Sequence, residues 1–312
     1  MNALPSFTSL QDHIAHLGDV DFWQPYINEI LKRHGLFATG LKPTAGFNPT
    51  YPTFLYGDVV VKFFGYSKSW QQRYAAEQAA LALVATDRRI AAPCLLGYGN
   101  LYDNTQESWP YLIMRRMPGI AVSHVELTYQ EKMKLAGDLG KQVSYIHALS
   151  WQAGVSTDTD WLELDIQAAA KQSSLPPHLV AQIDDYLTKL KPEAPVFTHG
   201  DLCDQHIFVQ NGQLSGIIDW GDAMITDRHY ELIQIYRGVF NCDKTLFQIF
   251  LEASNWPVGK DFATQALGQA LRRQAIGVAQ HHGMDVFEPI AKLFPLNDIK
   301  TLDQLAHELF SL

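Results

Sequence analysis

The chain has 312 residues, of which 47% are apolar and 18% charged, and a formal net charge of −9. That length accommodates two lobes and exceeds one minimal core, and the composition is that of a globular protein. No stretch reaches the roughly 18 apolar residues that span a bilayer, and so acidic a chain offers no basic stripe to a nucleic acid.

The acidic balance is compatible with a cationic substrate. The opening residues 1–16 lack a basic segment followed by a continuous apolar one, so a cytoplasmic location is expected. Cys94, Cys203 and Cys242 are odd in number, far apart and without a CxxC, which reads as reduced thiols.

Residues 20–35 carry Phe22, Tyr26, Ile30 and Leu31 at helical spacing, with Gly35 as a stop. Two β-rich runs follow, divided by Gly57-Asp58, and predict a hairpin that ends in a strand over 59–64. Residues 69–85 are rich in Ala and Leu without Gly or Pro, which favours helix. Short strands are expected around Cys94–Tyr98 and Tyr111–Met114, before Pro118-Gly119 breaks the pattern. Over 129–149, Leu135, Leu139, Val143, Ile146 and Leu149 form a helical face. Strand-rich then helix-rich halves indicate an α+β protein. The expected N-terminal lobe covers 1–117, with a hinge near 114–118, and the C-terminal lobe covers 118–312.

One β segment interrupts the second half. His206–Val209 and Leu214–Ile218 flank Asn211-Gly212, a type I′ turn signal. If the turn pairs Gln210 with Gln213, counting back sets His206 opposite Ile217. Asp219 shares the parity of Ile217, so it lies diagonally from His206, about 7–8 Å away on one face. Asp201 falls in the loop beside the same end. Two acids and an imidazole therefore converge, and phosphoryl transfer needs such a group: one carboxylate for the attacking hydroxyl's proton, another for a cation on the nucleotide phosphates. Taken singly, Asp201 and Asp219 also fit as turn caps.

In the first half, Lys62 lies within the apolar run Val59–Phe64, where a charge is costly unless paired. Glu77, in the Ala-rich helix, can supply the partner. A snorkelling lysine and a surface glutamate are the plainer alternative.

His199-Gly200-Asp201, His206 five positions on, and Ile218-Asp219-Trp220 resemble the aminoglycoside phosphotransferase and choline-kinase-like family, relatives of protein kinases. The order of Lys62, Glu77, hinge, Asp201 and Asp219 is also that family's. The resemblance implies a bilobal protein-kinase-like fold and transfer of the γ-phosphate of ATP or GTP to a hydroxyl of a small molecule, with Mg²⁺ or Mn²⁺. It implies Asp201 as catalytic base, Asp219 as metal ligand, and Lys62 on the α/β-phosphates with Glu77 as its ion-pair partner. Gly46, in the loop Thr44–Thr50, would approach the phosphates, and the backbone at Arg115–Met117 would meet the nucleobase. Gly200 stands where protein kinases carry Arg.

One departure concerns the metal. The family's usual Asn ligand is replaced by His206, and imidazole suits softer cations than Mg²⁺. Some aminoglycoside and macrolide kinases resemble this chain in carrying His there. Asp204, on the same hairpin parity, offers an oxygen or is a solvated loop acid.

The phrase from Ile218 to Glu231 is similar to the hygromycin-type branch, in which acidic residues line a pocket for polycationic sugars. Asp222, Asp227 and Glu231 are therefore candidate substrate contacts, although helix capping and support of the catalytic loop explain Asp227 and Glu231 more simply. Trp161, Asp165, Tyr236 and Arg237 are further candidates for that lining. His281-His282 reads as helix surface. The same fold phosphorylates choline, homoserine and methylthioribose, so antibiotic resistance does not follow from the resemblance. A nucleotide-binding module without turnover and a metal-dependent hydrolase remain as alternatives, the first motivated by His206, the second by the acid–imidazole group alone.

Overall fold

The computed structural model of the chain describes residues 5–47, 50–66, 69–102, 109–151, 155, 164–280 and 285–311. Its backbone forms two compact units, one of Met1–Thr86 with Ala92–Met117, the other of Asp87–Ala91 with Pro118–Leu312.

In the first unit, α1 (Leu10–His16) and α2 (Val20–Arg33) begin at Ser9 and Asp19, whose side chains cap the exposed N–H groups of the first turn. The α2 stripe of Trp23, Tyr26, Ile27, Ile30 and Leu31 is buried, and Gly35 follows at φ +67°, the conformation that ends a helix most cheaply with glycine. The stripe packs with Phe54, Val61, Phe63, Trp109 and Ile113 as the core of this unit.

Phe54, Val61, Phe63 and Ile113 come from an antiparallel sheet ordered β1-β2-β3-β5-β4, and Trp109 directly precedes β5. Its strands are β1 (Thr44–Ala45), β2 (Thr53–Tyr56), β3 (Val59–Phe63), β4 (Leu95–Asn100) and β5 (Pro110–Arg115). The turn at Gly57-Asp58 is where the sequence sets it, with Gly57 at φ +59°. Helix α3 (Trp70–Val84) covers the Ala-rich run.

Residues Asp87–Ala91 depart from the single boundary expected near Pro118. Gln142 receives the Ala91 N–H at 2.7 Å and donates to the Arg89 carbonyl at 2.9 Å, and the Arg89 guanidinium lies 4.3 Å from the Tyr145 ring. A polar glutamine on a helix thus captures a short stretch of chain for the second unit.

That unit opens with β6 (Ile120–Ala121) and α4 (Tyr129–His147), which begins with a capping box between Thr128 and Glu131. Three short helices follow: α5 (Ile166–Ala170), α6 (Pro177–Val180) and α7 (Ile183–Leu187). Strand β7 (Val196–Thr198) pairs with β10 (Met224–Thr226), while β6, β8 (Ile207–Gln210) and β9 (Gln213–Ile217) form a three-stranded sheet. A helical turn over Arg228–Glu231 leads into α8 (Leu232–Gln234) and a π-helical turn, Ile235–Val239. Helices α9 (Lys244–Ala253), α10 (Phe262–Gln280), α11 (Glu288–Leu293) and α12 (Leu302–Phe310) complete the unit. No helix among the described residues is long and apolar enough to cross a membrane.

Candidate active site

The loop after β7 reads His199-Gly200-Asp201. Gly200 adopts φ +80°, and a Cβ there would overlap the Asp222 carbonyl oxygen, so both conformation and space require glycine. His199 is buried. Its Nδ1 accepts from the Asp201 N–H at 3.2 Å, so the proton sits on Nε2 and is donated to the Ile218 carbonyl at 2.9 Å. Burial holds its pKa below the usual imidazole value, which keeps that neutral tautomer.

Glu231 holds the same loop from behind. One carboxylate oxygen accepts the N–H groups of His199 at 2.8 Å and Gly200 at 3.1 Å, and the other meets His147 Nε2 at 3.0 Å. Asp227 caps the turn over Arg228–Glu231. It accepts from the His229 N–H and Nδ1 at 2.9 and 2.8 Å, and from Gln269 Nε2 at 2.9 Å. Glu231 is fully buried, so it braces the loop and is withdrawn from substrate contact, and the bonds of Asp227 give it the same internal role. Asp222, in the helical turn Trp220–Asp222, is half-buried beside Gly200.

Asp201 is aimed by two side chains that the sequence reading did not single out. Arg273 Nη2 donates to its Oδ1 at 2.7 Å while Nη1 donates to the Gly200 carbonyl at 2.5 Å, and Gln234 Nε2 donates to Oδ1 at 3.1 Å. Arg237 in turn holds Gln234 at 2.6 Å. One guanidinium grips both backbone and carboxylate of the loop, which fixes the rotamer of Asp201. A signal for Arg273 exists in the sequence. Gln265, Gln269 and Arg273 recur at i, i+4 and i+8 on one helical face; in the structure all three are buried, and buried polar residues need partners.

The hairpin departs from its expected register. Gln210 does pair with Gln213, but Ile207 rather than His206 lies opposite Ile217. Phe208 pairs with Gly216 and Val209 with Leu214, so Ser215 is an extra residue in β9, and its hydroxyl donates to the Pro118 carbonyl at 2.6 Å. A one-residue slip reverses faces. Asp219 nevertheless meets His206, with Oδ2 3.6 Å from Nε2, because Asp219 itself adopts a left-handed conformation at φ +63°.

His206 sits between both acids. Its Nδ1–H donates to the Asp201 carbonyl at 2.9 Å and lies 3.5 Å from Asp201 Oδ2. Burial pulls the imidazole pKa down, but a hydrogen bond with Cys203 and the charges around the ring, Asp219 and Asp201 among them, outweigh it and push the value up to about 10. When neutral, the ring keeps its proton on Nδ1 and turns the Nε2 lone pair toward Asp219. One carboxylate and one oriented imidazole suit a divalent cation that accepts mixed N and O donors, as Mn²⁺ does, and Asp219 alone also suits Mg²⁺. Asp204 lies off this group. Burial raises its carboxyl pKa, with His206 and His124 among the charges that oppose the rise. Cys203, read from the sequence only as a reduced thiol, joins the group instead: Asp201, Cys203 and His206 each bring a ligand atom within 4.8 Å of the others.

In the first unit, Lys62 Nζ lies 2.7 Å from Glu77 Oε2, and both are buried. The ammonium also lies 6.0 and 5.4 Å from the rings of Tyr51 and Phe64. The Gly46 N–H is donated to the Thr53 carbonyl at 2.8 Å and closes the β1–β2 pairing. Arg115 and Arg116 donate their N–H groups to the carbonyls of Cys94 and Asp58, both at 2.8 Å, and the Arg115 guanidinium pairs with Asp58. Among the described residues, no backbone bond of this kind engages Met117.

Of the other candidates for a substrate lining, Tyr236 is fully buried and Asp165 caps α5. Trp161, His281 and His282 lie outside the described residues, as do Asn48 and Pro49 of the Thr44–Thr50 loop.

The chain belongs to the phosphotransferase enzyme family (APH), whose model matches residues 52–262. Aminoglycoside 3'-phosphotransferases of Enterococcus faecalis and Staphylococcus aureus are 41% and 44% identical to it over 59 residues. Those residues are 19% of this chain and 22% of each relative, so the match spans about a fifth of their length. Among solved structures, the GDP and kanamycin complex of APH(2")-IIia superposes with a TM-score of 0.64 at 19% identity, covering 88% of this chain and 99% of that one. Macrolide 2'-phosphotransferase MphH from Brachybacterium faecium gives 0.58 at 18% identity, covering 92% and 98%. Spectinomycin phosphotransferase APH(9)-Ia, solved with ADP and spectinomycin, gives 0.57 at 16% identity, covering 90% and 97%. At such identities the likeness is one of fold, and it is the bilobal, protein-kinase-like α+β fold.

Proposed function

We propose that the chain is a small-molecule O-phosphotransferase that moves the γ-phosphate of ATP or GTP onto a substrate hydroxyl. The observation that carries this reading is the aim of Asp201. Its Oδ1 is held by Arg273 and Gln234, while Oδ2 lies on the side of His206. A carboxylate locked in this way has one oxygen to orient an acceptor hydroxyl and take its proton. The hydroxyl oxygen forms a bond to the γ-phosphorus, the bond from phosphorus to the β–γ bridging oxygen breaks, and the nucleoside diphosphate leaves with that electron pair.

Asp219 and His206 Nε2 would hold the divalent cation, which when bound neutralises charge on the phosphates. Lys62, kept in place by Glu77, would contact the α/β-phosphates. Met117 is the hinge residue whose backbone would meet the nucleobase, since the N–H groups of Arg115 and Arg116 are committed. The acceptor class that fits best is a cationic, polyhydroxylated compound of aminoglycoside type. The net charge of −9 and the names of the relatives support it.

Asp201→Asn separates chemistry from binding. It should lower kcat by at least about a hundredfold while leaving nucleotide affinity by calorimetry nearly unchanged. Full turnover in that variant would remove Asp201 from the role of base. Saturable nucleotide binding by the parent without turnover on any acceptor would point instead to a non-catalytic module.

A further inference from the structure

Cys203 has no part in the transfer described above, yet it stands inside the group that performs it. With Asp201 and His206 it brings a sulfur, a carboxylate oxygen and a ring nitrogen within 4.8 Å of one another. Asp201 Oδ2 and His206 Nδ1 are already 3.5 Å apart. Three donors of these types make a half-shell for a thiophilic cation, whose tetrahedral site water completes. Mg²⁺ gains nothing from the sulfur.

We propose that Asp201, Cys203 and His206 form a second, inhibitory metal site selective for zinc-like cations, distinct from the Asp219 position. His206 makes the two sites exclusive. In the arrangement seen, Nδ1–H donates to the Asp201 carbonyl and Nε2 faces Asp219 Oδ2 at 3.6 Å, so a cation on Asp219 takes Nε2 in place of the proton there. A cation on the Asp201 and Cys203 side takes Nδ1 in place of that proton. The ring proton then resides on Nε2 and is donated to Asp219, a carboxylate–histidine–metal relay of the kind that orients zinc-bound imidazoles. Binding releases two protons to solvent, that of the Cys203 thiol and the one displaced from His206 Nδ1. It withdraws Asp201 Oδ2 from the acceptor hydroxyl and removes the lone pair from the Asp219 side in one event.

Cobalt(II), a spectroscopic stand-in for zinc, tests the site without any turnover. One equivalent added to the full chain should produce a thiolate-to-cobalt charge-transfer band together with tetrahedral d–d bands, and zinc should bleach both. Cys203→Ala and His206→Asn should each lose the charge-transfer band, while Cys94→Ser, at an exposed thiol, should keep it. Absence of the band in the parent chain, or its survival in Cys203→Ala, would overturn the proposal. A second arm rests on the phosphotransferase reading. With Mg²⁺ in excess, zinc should inhibit transfer, and Cys203→Ala should raise the half-inhibitory concentration at least about tenfold, each protein's rate being taken relative to its own rate without zinc. Equal inhibition of both proteins would place the zinc effect elsewhere and sink the inhibitory claim even if the cobalt bands appear.

Discussion

Asp201 and His206 owe their behaviour to neighbours rather than to their own chemistry. Arg273 is buried, contacts the Asp201 carboxylate and the Gly200 carbonyl, and lies 5.0 Å from the Tyr230 ring. Arg273→Met should cost about 3 kcal/mol, because it leaves a half-buried carboxylate without its cationic partner, with Gln234 alone on Oδ1. It should also lower kcat about a hundredfold through misplacement of Asp201, with the KM for nucleotide unchanged; a purely structural role would leave kcat of the folded fraction intact. For His206 the pH dependence follows from its raised pKa, about 10 against an ordinary 6.5. The folded state binds this proton more tightly, so the stabilisation is complete below pH 6.5 and is lost as pH rises through 10. Between pH 7 and 10, unfolding of the metal-free protein by denaturant should therefore become easier, and His206→Asn should remove that part of the slope. Parallel pH profiles for the two proteins would contradict the assignment.

At the scale of elements, the hairpin and the loop before it decide where these side chains meet. Gly200 is the tightest point: alanine there meets both a positive φ and the Asp222 carbonyl. Gly200→Ala should destabilise the protein by about 3 kcal/mol or more, measured as a shift in denaturation midpoint, whereas Gly259→Ala, with open space around it, should change little. The turn at Asn211-Gly212 was legible because two residues with positive φ have few sequence solutions. The bulge at Ser215 was not, since its cause is a hydrogen bond to Pro118, far away in the chain. Counting back from the turn therefore missed the register, and it arrived at the meeting of His206 with Asp219 only because the left-handed backbone at Asp219 offsets the slip. Arg273 escaped for a related reason. Helical periodicity marks a buried polar stripe, but which loop the stripe reaches depends on the packing of α10 against the turn over Arg228–Glu231.

For the whole molecule, periodicity and turn residues sufficed for the α+β class, because long helices and β-branched runs declare themselves locally. The excursion of Asp87–Ala91 into the second unit was invisible, since its partners lie far away in the chain: Gln142, the Tyr145 ring and the Ile217 N–H. A buried Lys–Glu pair lies in one unit and an Asp–His–Asp group in the other, and under the proposed function phosphoryl transfer would use both. The most direct measurement is transfer of labelled γ-phosphate from ATP or GTP, with Mg²⁺ or Mn²⁺, to a panel of aminoglycosides, macrolides and amino alcohols. A labelled phosphate monoester should form with at least one acceptor class, dependent on Asp201 and Lys62. Folded protein that labels none of them, or that releases phosphate from simple esters without nucleotide, would contradict the phosphotransferase reading.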